Sequence, residues 1–358
     1  MTLSLSKVYN PQPGWYRGDF HAHTHFSDGY FDPPQLAEVA KAEGLDFFAI
    51  TDHNTIDSFP YFGDDPGLLV IPGIEVTFQE GHFNVFGIEG QREWVDPLLA
   101  ERSWRDVKLG GRYQTTTEVM QAASAQGLLN SINHPLLKPW EWRDGATELS
   151  HLTCLEVWND PSWPDNKRDN PRAVALWTEL LDAGYRITAI GGSDYHRPVP
   201  PLNPPKPPDR LGLPSTYVYA GELSGRAILQ ALRQRRAYVS MGPTVTFRAH
   251  LNGATHDIGA DLGPVSGEIR FEASVSGCAS PATARIVRRY GEAVAEMEVV
   301  DGSASLAPSQ RVDVDTPAWY RFDVLDREGM MLAITNPIFA GPARTPDRNT
   351  FGDFVSLE

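Results

Sequence analysis

Cysteine is nearly absent from this chain. Cys154 and Cys278 lie far apart and in no metal-type spacing, which excludes a disulfide framework and a thiolate zinc site and fits a reducing, cytoplasmic setting. Long apolar runs are missing as well. None approaches the roughly 18 residues needed to span a membrane, and the opening MTLSLSKVYNPQPGW has no basic stretch followed by an apolar one, so neither a membrane segment nor a leader is expected. Positive charge is in deficit: 31 Lys and Arg stand against 46 Asp and Glu, a formal net charge of -15. That balance argues against a general nucleic-acid or anionic-membrane surface, because both need clustered Lys and Arg. An anionic substrate must then meet local positive charge, which a bound metal can supply. No Ser-His-Asp order, P-loop or dinucleotide fingerprint stands in a suitable strand-helix context.

What the chain has in excess is histidine and carboxylate in one place. The stretch GDFHAHTHFSDG brings Asp19, His21, His23, His25 and Asp28 together. His21 and His23 point the same way from a strand end, because side chains alternate with period two. Two imidazoles on one face begin a Zn, Mn or Fe site that carboxylates from other strands can complete.

With 358 residues, the chain predicts a large domain and a smaller one. From Asp19 to about Ser193 short apolar runs alternate with helix-like segments. PPQLAEVAKAEG opens on prolines suited to a first helical turn and ends at Gly44. LDFFAITDH reads as a buried strand with Asp52 and His53 at its far end, LLVIPGIEVT as one ending near Glu75, and LLNSINHP as one ending at His134. LTCLEVWND carries Glu156, and RITAIGGSDYH ends in Asp194 and His196. In α/β barrels and parallel sheets, side chains at the C-terminal ends of successive strands converge on one mouth. RPVPPLNPPKPPDRLGLP, residues 197–214, is too proline-rich for a regular element and reads as a surface loop. Beyond SMGP the pattern changes to alternating segments between Gly, Asp and Asn turns, that of a small antiparallel β-sandwich. The expected division is therefore residues 1–241 and residues 242–358.

DFHAHTHFSDG, AITDHNT, GIEVT, INHP and GGSDYH, in this order, resemble the PHP superfamily, named for polymerase and histidinol phosphatase domains. GHFNVFG, EVWND and AWYRFDV with ITNPI look more like its carbaryl-hydrolase-like branch. The resemblance implies an α/β fold, a distorted (β/α)7 barrel with two or three divalent metals, Mn, Zn or Fe, at its mouth. Carried onto this sequence, it implies His21, His23, Glu75 and Asp194 on a first metal. Glu75 would bridge to a second metal held by His134 and His82, and Asp28, His53 and His196 would hold a third. His21, His23, Glu75, His134, Asp194 and His196 would form the catalytic centre. Some members have a histidine near the Asp28 position, and the harder carboxylate here shifts that third site toward Mn or Fe. His25 falls between matched positions and reads as a pocket or supporting residue. Asp52 is expected to orient a histidine, Asp19 to support a ligand by hydrogen bonding, and Glu156 to reach a ligand or the substrate or simply to pack. His151, His250 and His256 match no motif and read as surface or structural.

Such a cluster implies hydrolysis, with metal hydroxide as nucleophile and no need for a protein nucleophile. The preferred substrate is a small phosphomonoester or phosphodiester, with Lys138, Arg143 and Arg197 placed to hold phosphate oxygens. A carbamate, amide or carboxylic ester with an aromatic group is the alternative, and Trp140, Trp142, Trp158, Trp163 and Tyr195 would line its pocket. The non-enzymatic alternative is a metal-stabilised binding scaffold.

Overall fold

The computed structural model describes residues 3–90, 95, 115–198, 208–278 and 281–356. Half of the Pro-rich loop expected at 197–214, residues 199–207, lies outside them. The first half is an α/β barrel built on β1 (Gly14–Asp19), β2 (Phe47–Ile50), β3 (Leu69–Phe78), β4 (Gly81–Phe86), β5 (Leu129–Ile132), β6 (Cys154–Asn159) and β7 (Thr188–Gly192). These strands are neighbours in that order. Among the described residues these strands are accompanied by α1 (Pro33–Ala42), α2 (Thr116–Ala125), α3 (Asn166–Ala183) and α4 (Gly225–Arg233). The start of α1 follows from its sequence. Asp32 accepts a hydrogen bond from the Gln35 amide, Gln35 returns one to the Asp32 amide, and prolines fill the first turn.

The βα rhythm breaks once. β3 and β4 form an antiparallel hairpin, and β4 runs antiparallel to β5, while the pairs β1–β2, β2–β3, β5–β6 and β6–β7 are parallel. His82 therefore enters at the beginning of its strand, opposite Thr77, and still reaches the end of the barrel where the other strands finish.

Inside the barrel, Phe47, Ala49, Leu69, Ile71, Phe86, Leu129, Cys154 and Ile190 form one cluster, which Ile228, Leu229 and Leu232 of α4 join. Alternate residues such as Phe48, Ile50 and Val70 pack instead with Leu36 and Ala40 of α1. Both faces of these strands are thus largely apolar, and polar side chains within them, such as Asn84, Asn130 and Glu156, are buried and hydrogen-bonded.

β8 (Ser215–Ala220) pairs antiparallel with β1, and β9 (Ala237–Ser240) with β8. The open edge of β7 is met by side chains. Thr216 Oγ1 accepts from Gly191 N at 2.8 Å and donates to Gly191 O at 2.8 Å. Asn336 accepts from Ala189 N at 2.8 Å and donates to Ala189 O and Ala237 O at 3.0 Å. An amide side chain there does what a neighbouring strand would do.

The second half is antiparallel. β10 (Thr244–Leu251), β11 (Ala254–Asp257), β12 (Gly267–Ser276), β15 (Ala304–Leu306) and β16 (Ser309–Val312) form one sheet. β13 (Ala282–Arg288), β14 (Glu292–Val299), β17 (Ala318–Asp326), β18 (Met331–Thr335) and β19 (Ile338–Ala340) form the facing layer. Val245, Phe247, Phe271, Ile286, Phe322 and Val324 pack between them. β18 also pairs with β9, so this layer is continuous with the barrel sheet. Among the described residues no helix is long and apolar enough to cross a membrane.

Candidate metal centre

Asp19 ends β1 and ties it to β7. Its buried carboxylate accepts from the amides of His21 and Ser193 at 3.0 Å, from Gly212 N at 2.7 Å, and from the Ser193 hydroxyl. Burial pushes its pKa up to about 6, and these hydrogen bonds oppose the rise. Gly192 lets the two strand ends meet: a Cβ there would lie 2.4 Å from His21 Cβ and 2.6 Å from Glu156 Oε1. His134 and Asp194 sit at φ 28° and 52°. Such backbone is uncommon outside glycine and costs roughly 1–3 kcal/mol per residue, so their neighbours must hold them.

The candidate ligands converge. His21 Nε2 lies 3.2 Å from Glu75 Oε2 and 3.2 Å from Asp194 Oδ1, and His23 Nε2 lies 3.3 and 3.1 Å from the same two oxygens. Donors 2.0–2.2 Å from a shared cation stand about 3.3–3.6 Å apart at tetrahedral angles and about 2.8–3.1 Å apart at right angles. The four atoms therefore have the spacing of a coordination shell. The other oxygen of Glu75 faces a second group, with His82 Nδ1 at 3.1 Å and His134 Nε2 at 3.5 Å. In a third group Asp28 Oδ1 lies 3.2 Å from His196 Nε2 and 3.6 Å from His53 Nε2. His23 stacks on both of those imidazoles, with ring centroids 4.2 Å from His196 and 4.5 Å from His53. His53 Nδ1 also approaches Glu75 Oε2 at 3.0 Å, so the groups share walls.

His21 Nε2, His23 Nδ1, Asp28 Oδ1, Glu75 Oε2 and His134 Nδ1 are buried and make no hydrogen bond within the described residues. Three of them, His21 Nε2, Glu75 Oε2 and Asp28 Oδ1, lie beside groups of opposite charge within the cluster, whereas His23 and His134 turn Nε2 toward it. Unsatisfied groups in such number are costly unless something else satisfies them, and multiple divalent cations fit this hard-carboxylate and imidazole set.

Electrostatics agree. Burial alone would raise the pKa of Glu75, but His21, His53 and His82 hold it well below the ordinary carboxylate range. Asp194 is also lowered, by His21 and His196 against the burial effect. Burial lowers His23 and His82 to about 4, leaving them neutral and able to bind metal. His196 goes the other way. Burial opposes its charge, yet Asp194 and Asp28 bring it up to about 9.

The surroundings differ in part from expectation. Among the described residues, the Asp52 carboxylate orients no histidine. It accepts from Thr24 N, Thr24 Oγ1 and Ser27 Oγ, and so shapes the loop that carries Asp28. His25 is exposed and leans on Phe26, apart from the cluster. Trp142 is fully buried, its indole donating to Thr147 Oγ1 and Asp144 O, and Tyr195 is buried too, so neither is free to line a mouth. Trp158 is buried at the end of β6, whereas Trp140 is partly exposed and packs edge-on against Trp163. Arg197 donates to Asp28 O at 3.2 Å and so adjoins the cluster. Lys138 is exposed, and Arg143 is held on the same loop by Pro139 O and Glu141. Sequence reasoning passed over Asn133, whose amide donates to Glu75 Oε1 at 2.8 Å. Its place directly before His134 was the available signal.

Residues 19–154 match the family model described as the PHP domain. A "Probable phosphatase" of Shewanella sediminis is 29% identical over 198 residues, covering 51% of this chain and 78% of that protein. A "Probable phosphatase" of Citrobacter koseri is 28% identical over 213 residues, covering 51% of this chain and 79% of its own. Among solved structures, a two-domain protein from Bacteroides vulgatus, described as containing a predicted PHP-like metal-dependent phosphoesterase, aligns with 96% of this chain and 98% of its own. It does so at 17% identity and a TM-score of 0.48.

Proposed function

We propose that this chain, whose residues 19–154 match the PHP-domain model, is a divalent-metal-dependent hydrolase that acts as a phosphoesterase on a small phosphomonoester or phosphodiester. The observation that carries this reading is Glu75, whose two oxygens face two different sets of histidines. A carboxylate so placed could serve two cations. His21, His23, Glu75 and Asp194 would hold the first; Glu75, His82 and His134 the second; Asp28, His53 and His196 a third. Manganese, zinc and iron all suit these donors, and Asp28 inclines the third site to manganese or iron.

When bound, such cations acidify water and neutralise charge developing on a phosphoryl oxygen. The chain supplies the rest. Arg197 and Lys138 hold non-bridging phosphate oxygens, with Arg143 at the rim, and Trp158 stiffens the wall beneath them. Residues 1–241 carry this chemistry and residues 242–358 form a second body packed on the barrel. The buried, unpaired Cys154 and Cys278 suit a reducing cytoplasm. The relatives named as phosphatases favour a phosphate ester over a carbamate.

The test is metal analysis of purified protein, with turnover of an aryl phosphate, a bis-aryl phosphate and an aryl carbamate before and after chelation. Phosphate-ester turnover should vanish on chelation and return with Mn. Arg197→Ala should lower it roughly tenfold or more with metal content unchanged, the effect of losing one charge-assisted bond. Cleavage of the carbamate alone moves the reading to an acyl substrate, and failure to retain metal sinks it.

A further inference from the structure

Glu156 lies on β6, almost wholly buried, and touches both bridged groups from behind. Its Oε1 is 3.0 Å from His21 Nδ1. Its Oε2 accepts from the His134 amide at 2.7 Å and from Asn159 Nδ2 at 3.1 Å. Asn159 is itself fixed, since its Oδ1 accepts from Asn166 Nδ2 at 3.1 Å. Every neighbour of the Glu156 carboxylate is therefore a donor or, at His21, becomes one.

We propose that Glu156 is the positioning residue that couples the first two cation sites, setting the imidazole of His21 and the backbone of His134 together. The inference rests on the metal-centre reading above. With Nδ1–H committed to Glu156, the lone pair of His21 is on Nε2, the atom that faces Glu75 and Asp194. At His134 the same carboxylate holds the amide of a residue in left-handed backbone, and so fixes where its imidazole emerges. The group of Asp28, His53 and His196 is steadied by other atoms: Thr77 Oγ1 at 2.6 Å from His53 Nδ1, and Asp194 O at 2.7 Å from His196 Nδ1.

Only a carboxylate satisfies this site. In Glu156→Gln the amide NH₂ either faces the His134 and Asn159 donors or makes His21 Nδ1 an acceptor and puts its proton on Nε2, so the variant keeps the volume and loses the function of the group. Metal-stripped wild type and E156Q are titrated with zinc against a competing chelator. E156Q should bind at least one equivalent about 10–100-fold more weakly, the usual effect of losing a partner behind a metal-binding histidine. The ring nitrogens of His21 in zinc-loaded, ¹⁵N-labelled wild type should show Nδ1–H and a metal-bound Nε2. Wild-type affinity and stoichiometry in E156Q would overturn the proposal, as would an Nε2–H signal from His21. The second measurement decides the matter even where E156Q does not fold. Wild type that takes up no zinc removes the metal-centre reading itself, an outcome distinct from equal binding by wild type and variant.

Discussion

The two halves of the molecule use strands in opposite ways. Along β12 buried and less buried residues alternate, and β10 does the same, each strand giving one face to the core and one outward. Along β3 every residue is buried, as in β2, β5, β6 and β7. The first pattern spends polar residues on solvent. The second has no solvent face, so a polar side chain such as Glu75 must find partners inside. An acidic residue is thus nearly free of consequence on the outward face of β12 and decisive on β3, while β17 of the second half, mostly buried, keeps Asp323 only by pairing it with Arg321.

The sharpest way to break this contrast is to make one substitution in both places. Glu75→Gln should abolish metal retention at the bridged groups and lower hydrolysis about 10³-fold or more, several kcal/mol of lost charge stabilisation. Glu272→Gln, half-exposed on β12 beside His250 and Arg248, should shift stability by less than about 0.5 kcal/mol. Metal analysis and thermal melts on both variants check the pair.

Next comes Phe271→Ala. Phe271 stacks on Phe247 with centroids 5.5 Å apart and packs against Tyr320 at 4.7 Å. Its loss should cost about 3–5 kcal/mol in denaturant unfolding while a folded sample keeps wild-type metal content. Asn336→Ala should cost somewhat less, about 2–4 kcal/mol for leaving Ala189 N and O unpaired. Although Asn336 follows β18, that variant should also weaken metal binding, because β7 leads directly to Asp194. A chelator titration separates the two variants.

The smallest expected effect is one of protons. His196, held up to about 9 by Asp194 and Asp28 against burial, carries a proton at neutral pH in the metal-free protein. Because its folded pKa is raised, its contribution to metal-free stability is full below about 6.5 and is lost as pH rises through about 9. Metal binding must expel that proton, so affinity should rise with pH across this window and loading should release acid. Calorimetry in buffers of different ionisation enthalpy measures it. Absence of proton release at pH 7 would remove His196 from the metal-binding set.

Much of this was legible in the sequence, and the reasons differ by region. The β12 and β10 segments announce themselves by alternation. In the barrel, where alternation is absent, legibility came from the strand ends, where His21, His23, Glu75, His134, Asp194 and His196 interrupt apolar runs. What stayed hidden depends on distant pairing. Nothing in GHFNVFG says that β4 runs backwards. Nothing near Asp52 says that its carboxylate serves Thr24 and Ser27, because the hydroxyls that claim it lie in another segment. Glu156 left three roles open for the same reason: its partners His21 and His134 are separated from it by 135 and 22 positions.

The Asn336 contact also bears on how the chain is made. Its partner Ala189 precedes it by 147 residues, so a growing chain emerging from the ribosome carries β7 with an unsatisfied edge for much of synthesis. At the usual 5–20 residues per second, that interval is roughly 7–30 s. During it, Thr216 can already close Gly191, 25 positions on, while Ala189 has still to receive its amide partner.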